Sequence, residues 1–510
     1  MNAQSYLCFM LGIILAIIYT ILFVFLIRKL KFFQTEGISR RTFVFAFLVK
    51  IIFGFIFWAV YTYHVPYQQR ADAFLYFDDG KAIYKALFEQ PVSYFKILFG
   101  FNDTSLGHYI DQTGHWKMAY VQGLYNETRT VIRFNAIVDI FSFGNYHVHT
   151  VFLCFLSMIG LMGVYKTFVP FLSTKKKELF VIVFFLPSVL FWGSGVLKEG
   201  LILFSMGMLI YHYHKVVSEK ISITRIILVF LFAGLLCITK IYILMILVPV
   251  FIAHLWIVKT GMRKPEIKYL IVFTVFISIG FLQKKYDLPF MLMDKQRQSI
   301  YMASGGSYLG IVDKDKFIYI KPEIKNRIIP LPEKPGYCKI APGVPYVSWY
   351  FNEYNDSTYV RHSADTTTYW VYYDLAEAGS KIDIPLLYPS WMSILKNSPF
   401  AFVNTAFRPF IFEAKNPLMI LSAIENLFIV AFILICIFFF SKKIQNRHLI
   451  CFCASFVILL FILIGLTTPI LGAVVRYKIP ALPFLLIAFL FILDKEKLLR
   501  RFPWLKKIID

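Results

Sequence analysis

The stretch KKKELFVIVFFLPSVLFWGSGVLKEGLILFSMGMLIYHYHK, residues 175–215, decides the fold. It opens on three lysines, runs through apolar residues 179–195, turns at Lys198-Glu199 and returns through a second apolar run, 200–214, to Lys215. Lys198 and Glu199 are the only charges between Glu178 and Lys215. Two apolar runs with basic clusters at their far ends read as a hairpin of helices through a bilayer, basic ends in the cytoplasm.

The same alternation extends along the chain. Apolar runs lie near 7–27, 42–62, 148–168, 179–195, 200–214, 222–239, 241–258, 267–283, 417–440, 449–466 and 479–493, most of them close to the ~20 residues of a spanning helix. Short basic stretches fall between alternate pairs: Arg28 to Arg41, Lys175 to Lys177, Lys215 to Arg225, Lys259 to Lys268 and Lys442 to Arg447, then the tail from Lys495. With the tail they hold 24 Lys and Arg residues and are expected to be cytoplasmic. The long segments 63–145 and 284–416 then face outward, together with Lys198, Glu199, Lys240, Arg476 and Lys478.

Composition agrees with this class. Hydrophobic residues make up 58% of 510, and the mean hydropathy is +0.65. The net charge of +23 comes mostly from the basic loops, so topology and anionic lipid explain it and nucleic-acid binding is not expected. The first run lacks a basic leader and is followed by basic residues, so it reads as a span with its N-terminus outside. Of seven cysteines only Cys338 lies in an outward segment, so no disulfide joins the two outer segments. His147, His149, His212 and His214 read as interfacial residues. Sequons at Asn102, Asn126 and Asn355 would matter in a eukaryote, but the Phe-, Ile- and Lys-heavy composition looks bacterial.

The first outer segment has its chemical centre in Arg70-Ala-Asp-Ala-Phe-Leu-Tyr-Phe-Asp-Asp-Gly80. A helix here puts Asp72, Tyr76 and Asp79 on one face and points Asp78 elsewhere. Two carboxylates on one face could serve as a general base or hold a cation between phosphate oxygens; a solvated acidic turn is the bland alternative. Leu87–Phe101 and the amphipathic Arg129–Phe143, which carries Arg133, read as helices lying in the interface.

The cations at the outer helix ends suit a phosphate. Lys198 and Lys240 offer point charges, and Arg476 in the Arg476-Tyr477-Lys478 entry to the last span offers a bidentate fork; snorkelling to lipid phosphates is the alternative for each. Segment 284–400, with its alternating apolar and polar residues, many Tyr and Pro/Gly punctuation, predicts a small irregular or β-containing domain. Its clusters Tyr346–Tyr350 and Tyr369–Tyr373 could stack on sugars or simply pack. Pro389–Phe410 reads as an amphipathic approach to the next span, with Arg408 and Glu413 at the interface.

Asp72-Ala-Phe-Leu-Tyr76, the interfacial helices after it, the Pro187…Trp192…Lys198-Glu199 hairpin and Arg476-Tyr-Lys-Ile-Pro-Ala-Leu-Pro483 together resemble the GT-C glycosyltransferases, in particular bacterial family-39-like members. About 40 residues carry the motifs, although the topology is similar over most of the chain. The resemblance implies an all-α polytopic membrane protein, GT-C-like, with about eleven transmembrane helices. It implies transfer of a sugar, with inversion, from a polyprenyl-phosphate donor to a glycan, lipid or protein acceptor on the extracytoplasmic face.

In this reading Asp72 is the first choice for catalytic base, with Asp79 or Asp78 as second carboxylate. Lys198, Arg476, Lys240, Lys478 and Arg408 would contact the donor phosphate, and Tyr76, Glu199, Tyr477, Arg133 and Glu425 would support. No cofactor is required and a divalent cation (Mg or Mn) is optional. The sequence departs from the family in two ways: the acidic loop follows the second span, and Asp72 with Asp78-Asp79 stands where an adjacent Asp-Glu pair is usual.

The implied organisation is two helices in 1–62, a catalytic loop in 63–145, helices three to eight in 146–283, the outer domain in 284–416, helices nine to eleven in 417–493 and a cytoplasmic tail in 494–510. The expected location is the bacterial cytoplasmic membrane. Two other readings compete. A polymerase or ligase acting on pyrophosphate-linked glycans would use residues such as Arg327, Arg361 or His362. A lipid-sugar flippase would need ionisable residues in mid-membrane, for which Glu425, beside Asn426, is the best candidate, because Lys50 can snorkel.

Overall fold

A backbone in hydrocarbon must satisfy its polar groups internally, which is why the long apolar runs are helices. The computed structural model describes residues 3–63, 71–100, 109, 112–113, 116, 126–219, 221–261, 263–282, 287–311, 316–333, 337–348, 360–362 and 368–506. Arg70, the sequons at Asn102 and Asn355, and Trp349 and Tyr350 of the first aromatic cluster lie outside them. Among the described residues six helices are long and apolar enough to cross a membrane: Met10–Lys29, Arg40–Tyr63, Tyr146–Phe171, Ile223–Thr260, Pro417–Phe438 and Arg447–Thr467. A seventh is added if the bent pair Leu471–Tyr477 and Leu482–Ile492 is one span. The chain is a helical membrane protein.

In chain order the helices are α1 (Ala3–Lys29), α2 (Arg40–Tyr63), α3 (Asp72–Glu89), α4 (Pro91–Phe99), α5 (Glu127–Ser142), α6 (Tyr146–Phe168), α7 (Lys176–Phe184), α8 (Pro187–Trp192), α9 (Lys198–Ser218), α10 (Ile223–Thr260), α11 (Pro265–Leu282), α12 (Leu288–Ser304), α13 (Trp391–Phe407), α14 (Pro417–Phe438), α15 (Arg447–Thr467), α16 (Leu471–Tyr477), α17 (Leu482–Ile492) and α18 (Lys495–Arg501). Two of the expected runs are built differently from simple spans. Run 179–195 is split into α7 and α8, because Pro187 has no N–H for a continuing helix and starts a new one. Runs 222–239 and 241–258 join in the 38-residue α10, whose one non-helical residue is Lys240.

The contacts divide the chain into two compact units. The first comprises Met1–Phe276, Ile424–Leu460 and Ile479–Asp510. Its closest helix pair is α6 with α9, where backbone meets backbone. A Cβ on Gly160 would lie 2.1 Å from the Leu203 carbonyl oxygen, and one on Gly207 would lie 2.0 Å from that of Gly160. Small residues at such a seam let membrane helices gain dispersion contacts that lipid cannot supply. A buried cluster of Phe57, Ala73, Tyr76, Phe77, Val131, Ile132, Trp116, Val196, Leu197 and others joins α2, α3, α5 and the α8–α9 turn. Helix α4 leaves Val92, Phe95 and Phe99 exposed at helical spacing, as expected of a helix lying on a bilayer surface.

Lys50 departs from the snorkelling expectation. Its side chain is 1% exposed and its ammonium reaches the α8–α9 turn, 3.1 Å from where a Cβ on Gly193 would stand. The room for it comes from that glycine.

The second unit comprises Ile277–Ala423 and Phe461–Lys478. Its sheet has strands β1 (Gly306–Ile311), β2 (Lys316–Ile320), β3 (Ile328–Pro330), β4 (Tyr337–Ile340), β5 (Pro345–Ser348), β6 (Val360–His362) and β7 (Thr368–Leu375), in the order β3-β4-β7-β1-β2-β5-β6. All the pairings are antiparallel, with a register shift between β1 and β7 at Tyr308/Leu309. The segment read as irregular or β-containing is therefore an ordered sheet flanked by α12 and α13. Gln296 of α12 is fully buried and satisfied: it donates to the carbonyls of Leu466 (2.7 Å) and Pro385 (3.0 Å) and accepts from the Leu387 N–H (2.8 Å).

Candidate functional site

The acidic motif is helical, and its most buried carboxylate has a structural task. Asp72 opens α3 in its first turn, where the helix dipole favours a carboxylate, and is half-buried. Tyr76 and Asp79 share the inner face, 3% and 2% exposed, while Asp78 is exposed. Asp79 does not present a free carboxylate to a substrate, because its Oδ2 accepts the backbone N–H of Trp116 at 2.8 Å. The indole of Trp116, itself fully buried, is stacked by the guanidinium groups of Arg129 and Arg133, each 4.8 Å from its ring centre. Arg133, expected to support the site, is buried here and donates Nε to the Ile97 carbonyl at the end of α4. Partial desolvation, then the neighbouring Asp79 carboxylate, raise the Asp78 carboxyl above its ordinary value against the lowering influence of Lys81.

Behind this helix lies a polar network that the interfacial reading of His149 missed. His149 is fully buried. Its Nδ1 pairs with Asn135 Oδ1 at 2.8 Å, and its Nε2 faces Asp139 Oδ1 at 3.0 Å and Ser142 Oγ at 2.8 Å. Asn135 donates on to the Tyr76 carbonyl at 3.3 Å, so α3, α5 and α6 are locked together by one imidazole. Ser and Asp share the same ring nitrogen and no member is exposed, which is an architectural arrangement and not a nucleophilic triad. The sequence signal was present in the spacing of Asn135, Asp139 and Ser142, which puts all three on one face of α5.

Lys198 and Lys240 do come together, on a residue that sequence reading did not select. Lys198 is the first residue of α9, and Lys240 interrupts α10; each is about nine-tenths buried, at 6% and 7% exposure. Lys198 Nζ lies 2.9 Å from Glu127 Oε1, and Lys240 Nζ is hydrogen-bonded to Glu127 Oε2. Glu127 is the first residue of α5, behind the N-cap Asn126, whose side chain accepts the Arg129 N–H at 2.9 Å. Thr130, one turn on, donates to the Ile238 carbonyl at 3.0 Å, beside the break at Lys240. Burial alone would raise the Glu127 carboxyl, but the ammonium groups of Lys198 and Lys240 outweigh it and hold the group far below the ordinary carboxylate range. Glu199, expected as a supporting residue, is buried beside Lys198. The sequence signal for Glu127 is an acid in the first helical turn after an Asn cap.

Glu425 is 5% exposed within α14, and its Oε1 accepts the backbone N–H of Ser188 at 3.1 Å. The break before Pro187 frees N–H groups at the start of α8, and Glu425 satisfies one of them. Its burial has a local structural cause that transport does not need.

The remaining candidates belong to the second unit. Lys478, 1% exposed, directs its ammonium at the carbonyls of Thr405 (3.3 Å) and Arg408 (3.4 Å), capping the end of α13. Arg408 forms a two-pronged pair with Glu413, with Nε 3.1 Å from Oε2. The roles expected of Lys478 and Arg408 as phosphate contacts thus compete with helix-end and ion-pair roles. Arg476 and Tyr477 end α16 half-buried. Among the described residues no group of three or more His, Cys, Asp or Glu side chains is placed to hold a metal ion. No protein-family model, curated protein or solved structure matches the chain.

Proposed function

We propose that the protein is a membrane glycosyltransferase that moves a sugar from a polyprenyl-phosphate donor to a glycan, lipid or protein acceptor on the extracytoplasmic face of the bacterial cytoplasmic membrane. On this reading the fold is GT-C-like with about eleven spans, N-terminus outside and C-terminus in the cytoplasm. One observation carries it: two buried lysines from separate helices converge on a single half-exposed carboxylate, which is a built site for a monoanion. The residues that flank Asp72 and Lys198, Ala73 and Leu197, belong to one buried cluster, so the acidic helix and the cationic turn share a foundation.

In the reaction Asp72 takes the proton of the acceptor hydroxyl as its oxygen bonds to the anomeric carbon. The bond from that carbon to the phosphate oxygen breaks, and the electron pair leaves with the phosphate. Lys198 and Lys240 stabilise that charge in a water-poor setting, where fixed cations are worth most. Asp79, tied to Trp116, positions the helix and leaves the base role to Asp72.

The test is sugar release from a panel of synthetic polyprenyl-phosphate sugars by purified protein in nanodiscs, with Asp72→Asn, Lys198→Met and Arg476→Ala alongside. Turnover lost in folded Asp72→Asn supports the reading. No turnover with any donor, together with movement of lipid-linked sugar across vesicles, sinks it.

A further inference from the structure

Glu127 is placed like a ligand. Its two partners are almost wholly buried, yet its own side chain is 39% exposed. A structural ion cluster buries the anion with the cations, since an exposed pair contributes little. Here the two cations are more deeply buried than the carboxylate they hold. The break in α10 points the same way. Interrupting a membrane helix gives up backbone hydrogen bonds, and Thr130 is recruited to satisfy the freed Ile238 carbonyl. A lone surface ion pair would not require that sacrifice.

Charge balance narrows the natural occupant. Lys198 and Lys240 face Glu127 with buried Glu199 at the side, two positive against two negative. Glu127 is replaceable without upsetting this only by another monoanion. A phosphodiester carries one negative charge at neutral pH, whereas a phosphate monoester is nearer two. When Glu127 gives up the lysines, the helix dipole at the first turn of α5 offsets part of what it loses.

We propose that Glu127 is an internal stand-in for a phosphodiester: it fills the Lys198–Lys240 site in the empty protein and is exchanged for the phosphate of the incoming ligand. This rests on the reading of Lys198 and Lys240 as phosphate contacts. After sugar transfer the leaving group is a phosphate monoester, nearer two negative charges than one, and Glu127 restores the charge balance as it takes the site back.

The experiment measures binding of farnesyl methyl phosphate, a monoanionic phosphodiester, of inorganic phosphate and of farnesol to full-length protein in nanodiscs, for the wild type, Glu127→Gln, and Glu127→Gln combined with Lys240→Met. Farnesyl methyl phosphate is expected to bind Glu127→Gln about tenfold more tightly, the gain from removing an occupant that leaves roughly a tenth of the sites open. The gain should vanish with Lys240→Met. Farnesol should bind all three alike, and a gain for inorganic phosphate as well would assign the site to the phosphate alone. Equal or weaker farnesyl methyl phosphate binding by folded Glu127→Gln overturns the exchange.

Zero-length carbodiimide cross-linking of the wild type supplies a second readout if the variant does not fold. The Glu127–Lys198 cross-link should form in the empty protein and disappear at saturating farnesyl methyl phosphate; a persistent cross-link overturns the exchange. Tight phosphate binding with this pattern but no sugar turnover would remove the glycosyltransferase reading and keep the exchange. Normal turnover with a persistent cross-link would do the reverse.

Discussion

Asp79 accepts the backbone N–H of Trp116 at 2.8 Å, and Trp116 in turn carries Arg129 and Arg133 against its ring. A carboxylate committed to a buried amide is a scaffold residue, even though its motif reads as catalytic. Asp79→Ala should therefore cost about 2 kcal/mol of stability, the range for a buried charge-assisted hydrogen bond, with activity falling only as far as folding does. Asp72→Asn should leave the melting temperature within about 1 °C, as expected of a half-buried polar change, and abolish turnover. Thermal unfolding of the two variants beside donor turnover separates the roles; a stable, inactive Asp79→Ala would reverse them.

Glu425 and Ser188 make a similar point about charge within a span. Glu425→Gln keeps an oxygen acceptor for the Ser188 N–H, so stability should fall by less than about 1 kcal/mol and turnover should persist. Glu425→Leu strands that N–H in a buried position and should cost about 1–3 kcal/mol. Sugar-lipid movement that stops in Glu425→Gln, with stability intact, would restore the transport reading.

The imidazole of His149 serves three side chains at once. His149→Phe preserves a ring but leaves the buried Asp139 and Asn135 without their partner, and should cost about 3–5 kcal/mol. Replacing Asp139 by Leu in the same chain removes the orphaned charge and should recover part of that loss. Denaturation of the single and double variants checks the coupling; additive losses would mean the two groups do not interact.

The architecture was legible wherever hydrophobic period and charge placement act locally. The helix from Asp72 and the exposed face of α4 follow from residues within a turn or two of each other, whereas the split at Pro187 runs against the single span expected over 179–195. What could not be read is where side chains separated by many residues meet. Asp79 and Trp116 are 37 positions apart, Glu127 and Lys240 are 113, and Ser188 and Glu425 are 237. Lys198 and Lys240 were recognisable as lone charges at apolar ends, but nothing in periodicity says that a first-turn glutamate stands between them. Lys50 was misread for a related reason. Snorkelling is the default for a lone lysine, and only the tertiary position of Gly193 opens an inward path.

Glu127 also fixes how the protein should respond to acid. Burial alone would raise its carboxyl, and Lys198 and Lys240 together depress it far below the ordinary 4.5. A depressed carboxyl contributes stability that is complete above the unfolded value and is lost as pH falls through the folded value. The wild type should therefore exceed Glu127→Gln in melting temperature by a nearly constant amount from pH 7 to 5. The gap should begin to close only below about pH 4.5, where protons start to favour the unfolded chain. Because both lysines are buried, 0.5 M NaCl should reduce the gap only slightly, unlike a surface pair. A gap that closes between pH 7 and 5 would show that a group other than Glu127 sets the difference, and that the carboxylate is not held by the two lysines.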